Sequence, residues 1–227
     1  MPSISRILVL FGVAVVSLAD SWGPAFSLGP TSPNSAVIES FTTFIPGKPP
    51  TNPQDALFLW PGTSNATSGL IQSGADQLRD QKAYCGANAT SWCVSASYFG
   101  VGGQKSGPLV PVDGNTPIDI HYKLASDQRT WDQTVTVNGK VISTLQSFDG
   151  PLIQGGWGTG TECQSNCRGT ISTQTYKNTK IILSRADPDF KNTLGVGGGV
   201  QHTGLTTPDG GKTWTVTQIT IPPYTAP

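Results

Sequence analysis

Residues 57–100, LFLWPGTSNATSGLIQSGADQLRDQKAYCGANATSWCVSASYFG, place apolar runs, turn signals, two cysteines and two glycosylation sequons side by side. Leu57 to Trp60 is a short apolar run ended by Pro61-Gly62, and Trp92 to Phe99 is rich in strand formers and ended by Gly100. Both read as strands bounded by breakers. Between them Leu70-Ile71-Gln72 is a third short run, with Gln72 its lone polar group. A buried amide must find a partner, and a bound ligand can be that partner.

The segments outside this stretch read as more sheet. Ile118, Ile120, Tyr122 and Leu124 alternate with Asp119, His121 and Lys123, the period-two pattern of a half-buried strand with His121 on its polar face. Trp131 to Val137, Asn138-Gly139 and Lys140 to Leu145 form a hairpin signature, because Asn-Gly supplies the positive-φ pair of a type I′ turn. Its simplest register sets Val135 opposite Ile142 and turns Val141 and Leu145 to the other face. Residues 147–170, with Gly155-Gly156-Trp157-Gly158, Gly160 and two cysteines, read as a long stapled loop, and such loops are often functional. Thr170 to Tyr176 and Thr179 to Ser184 read as two strands about a Lys-Asn turn. In the last strand Trp214 and Val216 share one parity and Ile219 and Ile221 the other, which predicts a bulge near Thr217-Gln218. Gly and Pro are abundant, 27 and 18 residues, and helix formers are scarce, so the pattern predicts an all-β, antiparallel β-sandwich or jelly roll. One domain is expected over 36–227.

At the N-terminus Arg6 precedes an apolar run from Ile7 to Val16, followed by the small residues of Ser17-Leu18-Ala19. Residues 1–19 read as a secretory signal peptide, too short to cross a membrane, so a secreted or lumenal protein with no membrane span is expected. Residues 20–35, rich in Pro, Ser and Gly, read as a flexible lead-in. Losing Arg6 leaves 13 basic against 14 acidic side chains, and 12% charged residues offer no field for nucleic acid.

The four cysteines predict two local disulfides, Cys85–Cys93 and Cys163–Cys167, in an exported chain. Their spacings suit no structural zinc site, so no metal is expected. Asn65-Ala-Thr and Asn88-Ala-Thr are acceptor sequons and belong on the surface. The Gly-rich run 195–199 lacks the ending of a phosphate cradle, and no cofactor is expected.

No G-x-S-x-G elbow nominates a serine for His121 or His202. Asp76, Asp80, Asp113, Asp119, Asp132, Asp149 and Glu162 are all candidate carboxylates for glycoside hydrolysis, with no distinctive pairing in the sequence. Gln72, with Gln174 or His121, can donate hydrogen bonds to a substrate oxygen. Trp60, Trp92, Tyr98 and Trp157 can shape a pocket for a small hydrophobic substrate. Trp157, flanked by glycines, is the aromatic least explained by packing.

Two resemblances bear on function. LFLWPGTSN…GLIQSG followed by a W-x-V-x-A-S-x-F strand resembles the secreted fungal glutamic peptidases, β-sandwiches with a catalytic glutamine in an L-Q-x-G setting. Only Gln72 carries over; the family's partner glutamate follows a cysteine on a later strand, and here Thr170 to Tyr176 offers Gln174 and no acid. From about residue 56 to 222, the strings LWPG, LIQ, C-G-A…W-C-V, T-W-x-Q-x-V-T-x-N-G-K-V-x-S-T-L and G-T-G-T-E-C…C-x-G-T resemble a group of small secreted fungal proteins. That group includes hetero-Diels-Alderases of tropolonic sesquiterpene biosynthesis, which join a tropolone quinone methide to a humulene-type alkene. The resemblance implies a cofactor-free pericyclase and assigns no residue roles. The expected alternatives are a glycan-binding or glycan-cleaving protein, or a glutamic-peptidase-like hydrolase.

Overall fold

The computed structural model describes residues 20–51, 56–164 and 167–225. The predicted leader, 1–19, lies outside them. Two large antiparallel sheets stack as the predicted sandwich. The first runs β16 (Gly195–Val196), β2 (Phe26–Leu28), β13 (Gly156–Gln164), β4 (Ala56–Ser64), β5 (Leu70–Leu78), β6 (Ser91–Gly100) and β7 (Gly103–Ser106). Two further strands join it, β1 (Asp20–Trp22) on β13 and β8 (Val110–Asp113) on β6. The second runs β11 (Lys140–Ser147), β10 (Trp131–Val137), β9 (Ile118–Leu124), β3 (Ala36–Ile45), β15 (Gln174–Leu183), β18 (Thr213–Ile221) and β17 (Gln201–His202), with β12 (Leu152–Ile153) on β3. A small ribbon pairs β14 (Thr170–Ile171) with β19 (Tyr224–Thr225). The α-helix among the described residues is α1 (Gln81–Cys85), capped by Asp80, whose carboxylate accepts from the Ala83 amide, and stopped by left-handed Gly86. No helix among the described residues is long and apolar enough to cross a membrane.

Period-two alternation decides which side chains meet between the sheets. Leu57, Leu59, Ile71, Ala75, Trp92, Val94 and Trp157 of the first sheet face Ile118, Ile120, Tyr122, Trp131, Val135 and Tyr176 of the second, all at most 1% exposed. Truncating one of these tryptophans to alanine costs about 3–5 kcal/mol.

Several expectations shift in detail. Residues 147–170 are not one loop: 156–164 pair with β4 along eight positions, deep inside the first sheet. The glycines that read as breakers occupy its outward positions, while Trp157, Thr159, Thr161 and Cys163 point inward. The lead-in 20–35 is folded in place as well, since Phe26 and Leu28 are fully buried and β2 pairs with β13. Pro61-Gly62 does not end β4, which continues to Ser64. The hairpin forms with Asn138 and Gly139 at φ 50° and 74°, but a bulge after Val135 sets Val135 opposite Ser143. Leu145 therefore turns inward and packs on the core. Thr170 to Ser184 holds the two-residue β14 and then one long strand, β15, which Asn178 kinks at φ 53°. The kink sits level with Thr217, so β15 and β18 change parity together. That is the irregularity predicted at 217–218.

Candidate functional site

Register across four strands builds the site. Phe58 of β4 pairs with Glu162 of β13 on one side and Asp76 of β5 on the other, and Asp76 pairs with Cys93 of β6. Paired residues share a face, and the inward neighbours Leu57, Leu59 and Ala75 are fully buried in the core. Asp76, Phe58 and Glu162 therefore stand in one row on the outer face. The two acids are separated by β4, which sets their backbones two strand spacings, about 9.5 Å, apart.

Each carboxyl is held differently. Tyr84 of α1 directs its hydroxyl at Asp76 Oδ2 (3.5 Å), and the Cys85–Cys93 disulfide ties α1 to the strand next to Asp76. Although Asp76 is only partly buried as a residue, desolvation of its carboxyl dominates and pushes its pKa up to about 7. The Tyr84 hydrogen bond opposes that rise and the charge of Glu162 adds to it. Burial first, then the Asp76 carboxyl, pushes the Tyr84 hydroxyl up to about 12, so it remains a donor at physiological pH. Glu162 accepts from Trp60 Nε1 (3.2 Å) and Gln164 Nε2 (2.6 Å), as an ionised carboxylate does.

Trp60 gains its position from a glycine. A Cβ at Gly160 would lie 2.3 Å from the indole Cε2, so the ring lies directly across that bare backbone. The same ring reaches over Gly62, where a Cβ would lie 3.1 Å from Trp60 Cζ3 and 2.9 Å from Leu70 Cδ1. Gln72 stands level with Gly62 and Ser97, and Gly62 with Gly158. It is on the same strand and face as Asp76 but four residues away, about 13 Å along the sheet.

The structure separates the other predicted site residues from this face. Gln174 is buried between the sheets, where its Nε2 donates to Thr161 Oγ1 (2.7 Å) and its Oε1 accepts from Tyr176 (3.0 Å). His121 lies on the far outer face of the second sheet, with Nε2 2.8 Å from Glu39 Oε1. Neither can act with Gln72 on one substrate atom. Trp92 is core, donating to the Gly47 carbonyl (3.0 Å). Trp157 is core as well, edge-on to Phe26 and Tyr176. Tyr98 is fastened at the end of the sheet to Asp149 (2.9 Å). Of the four predicted pocket aromatics only Trp60 belongs to the site. Both predicted disulfides are present, each with Cα atoms 5.8 Å apart.

The chain matches no protein-family model and no curated protein sequence. Among solved structures it is similar to scytalido-glutamic peptidase in complex with a peptide-based transition-state analogue. There the TM-score is 0.51 and the identity 12%, covering 87% of this chain and 98% of that one. It is equally similar to SCP-B, a member of the eqolisin family of peptidases, in complex with the tripeptide Ala-Ile-His (TM-score 0.50, 12% identity, the same coverage). At this identity the likeness is one of fold. It agrees with the glutamic-peptidase resemblance in the sequence, and the Diels-Alderase resemblance has no counterpart in these comparisons.

Proposed function

We propose that this protein is a secreted hydrolase that cleaves glycosidic bonds of a polysaccharide on the outer face of its first sheet. Asp76 is the general acid and Glu162 the general base. The observation that carries this reading is the pair itself: two carboxyls in one row, one kept protonated to about pH 7, the other held by two N–H donors. Enzymes that invert configuration set an acid and a base about 6.5–9.5 Å apart, leaving room for the bond and a water between them. Side chains rising from backbones two strands apart suit that span. Asp76 gives its proton to the departing glycosidic oxygen as the bond to the anomeric carbon breaks. Glu162 takes a proton from the water whose oxygen bonds to the opposite side of that carbon. Trp60 orients Glu162, and Tyr84 orients Asp76.

Action outside the cell fits the two disulfides, which persist in oxidising compartments. A glutamine–glutamate arrangement like that implied by the peptidase resemblance needs an acid within reach of Gln72. The positions level with it are Ser97, Gly62 and Gly158. Purified protein is incubated with β-glucans, chitin, xylan and mannan, and new reducing ends are measured. Asp76→Asn and Glu162→Gln should each lower the rate about a hundredfold or more. No reducing ends from any of these polymers would remove the reading.

The hetero-Diels-Alder reaction is a second reading of the same face. A neutral carboxylic acid beside the apolar Phe58 is a hydrogen-bond donor suited to a tropolone oxygen, and such a reaction needs alignment rather than a base. Glu162→Gln separates the two readings. It should abolish hydrolysis yet preserve acceleration of a quinone methide with humulenol, which depends on Asp76.

A further inference from the structure

One end of the sandwich carries exposed apolar side chains beside a glycosylation sequon. Strand β12 pairs with β3, setting Leu152 opposite Val37 and Ile153 opposite Ala36. Alternation buries Leu152 and turns Ile153 outward, where it is 55% exposed. The Ile153 carbonyl accepts from Asn65 Nδ2 (3.1 Å), in the turn between β4 and β5. The segment leaving β11 is bound to the same turn, since Asp149 Oδ1 accepts from the Gly69 amide (3.2 Å) as well as from the Tyr98 hydroxyl (2.9 Å). Phe148, next to Asp149 in the chain, is 64% exposed. Scattered apolar residues are ordinary on a surface, but two large ones bordering a single turn are open to one common cover.

The Asn65 amide is oriented to supply that cover. Its Oδ1 accepts from the Thr67 amide (3.0 Å), the Thr67 hydroxyl (3.2 Å) and the Ser68 amide (2.7 Å), which fixes Nδ2 toward Ile153. An N-glycosidic bond replaces one of the two Nδ2 hydrogens and leaves the other for the Ile153 carbonyl, so the first sugar begins against Ile153. We propose that Asn65 carries an N-linked glycan whose first sugars lie over Ile153 and Phe148, packing the C–H faces of their rings on these side chains. Passage through the secretory route, which the glycan requires, fits the two disulfides. Asn88 has different surroundings: its Oδ1 accepts from Thr90 and Ser91, and its loop bonds to Asp113 and Gly114. A glycan there stands in solvent, whereas the one on Asn65 is part of the folded surface. This role is independent of the reaction on the outer face of the first sheet.

The test compares one sequence with and without its glycan. Asn88→Gln protein secreted from a eukaryotic host should carry a single glycan, on Asn65, by intact mass and peptide mapping. The same variant made in an oxidising bacterial compartment without N-glycosylation carries none. The glycan-free form should melt about 2–4 °C lower and bind more of a hydrophobic dye. Trimming the glycan to its first sugar with an endoglycosidase should preserve most of that gap in melting temperature. Ile153→Thr and Phe148→Ser, both at exposed positions, should each shrink the gap and together remove it. Because the gap is read within each variant, any change in stability from the substitution itself cancels. An unmodified Asn65, no gap, a gap lost on trimming, or a gap unchanged by both substitutions would overturn the proposal. Vesicle binding or dimerisation of the glycosylated protein that Phe148→Ser abolishes would also overturn it, assigning this end to a membrane or to a second copy of the chain.

Discussion

Replacing Asp76 by asparagine should make the protein more stable at neutral and alkaline pH while disabling it. In the unfolded chain this carboxyl has an ordinary pKa of 3.8, and in the fold it is pushed up to about 7. Between those values the folded state holds a proton that the unfolded state has released. Raising the pH therefore works against folding across that window, and the penalty is complete above about 7. At about 1.4 kcal/mol per pH unit the ceiling is about 4 kcal/mol, and partial exposure of the residue brings the expectation to about 2–4 kcal/mol. Asparagine is uncharged at every pH, has nearly the same shape and still offers an oxygen to Tyr84. The assay is urea unfolding of both proteins at pH 4, 5, 6, 7 and 8. The stability difference should be small at pH 4 and grow steadily in favour of Asp76→Asn up to pH 8. Asp127 and Asp209, whose hydrogen-bonded carboxylates lie below the usual value, contribute stability that is lost only as the pH falls through their lowered pKa values, outside this window. Parallel pH profiles for the two proteins would refute the placement of a desolvated Asp76 carboxyl. In the proposed hydrolysis the same group would set the alkaline limb of activity, which should fall away near pH 7 for the wild type.

Gly160→Ala should displace the Trp60 ring and with it one donor to Glu162, lowering activity at least tenfold, with a smaller change in thermal stability; a variant with wild-type turnover would show that Trp60 does not position Glu162. Replacing Cys85 and Cys93 by serine removes a small loop closure worth about 2–3 kcal/mol in the chain-entropy model. It should also release Tyr84 from Asp76, so activity should fall even under conditions where the melting curve shows the protein fully folded. Asn88 is exposed and its Oδ1 receives the Thr90 hydroxyl of its own sequon (2.7 Å), and the Thr67 hydroxyl reaches Asn65 in the same way (3.2 Å). Intact-mass measurement of secreted protein before and after enzymatic deglycosylation should show two glycans, one lost in each of Asn65→Gln and Asn88→Gln.

Most of the sandwich was legible because alternation and turn chemistry are local. Ile118 to Leu124 has one face for the core and one for water, and Asn138-Gly139 can hardly do anything but turn. What misled was glycine. In the run 155–160 it reads as a breaker, yet in β13 it fills outward positions where a Trp60 ring must lie on the backbone, and the inward Trp157 makes that strand part of the core. The same cause hid the lead-in strand β2, whose short run of Phe26 and Leu28 is anchored by pairing with β13 on one side and β16 on the other.

The acid pair lay beyond the sequence for a different reason. Asp76 and Glu162 are 86 positions apart in the chain and become neighbours only through two registers, β5 on β4 and β4 on β13. A slip of one residue in either would turn one carboxyl into the core. Nothing local to Asp76 distinguishes it from Asp80 or Asp113, because its raised pKa comes first from burial and then from the charge of Glu162 across the sheet, against the Tyr84 hydrogen bond. Gln72 was legible as a polar group in an apolar run, but its place beside Gly62 and Ser97 was not. Gln174 and Gln72 both follow the pattern of an amide on a strand, and only the stacking of the sheets shows that one faces Thr161 and Tyr176 in the interior and the other the outer face. Chemistry on a sheet is set by which residues share a row, and rows are a property of pairing, so carboxylates that look interchangeable in the chain stand as one pair on either side of Phe58 once the strands are laid side by side.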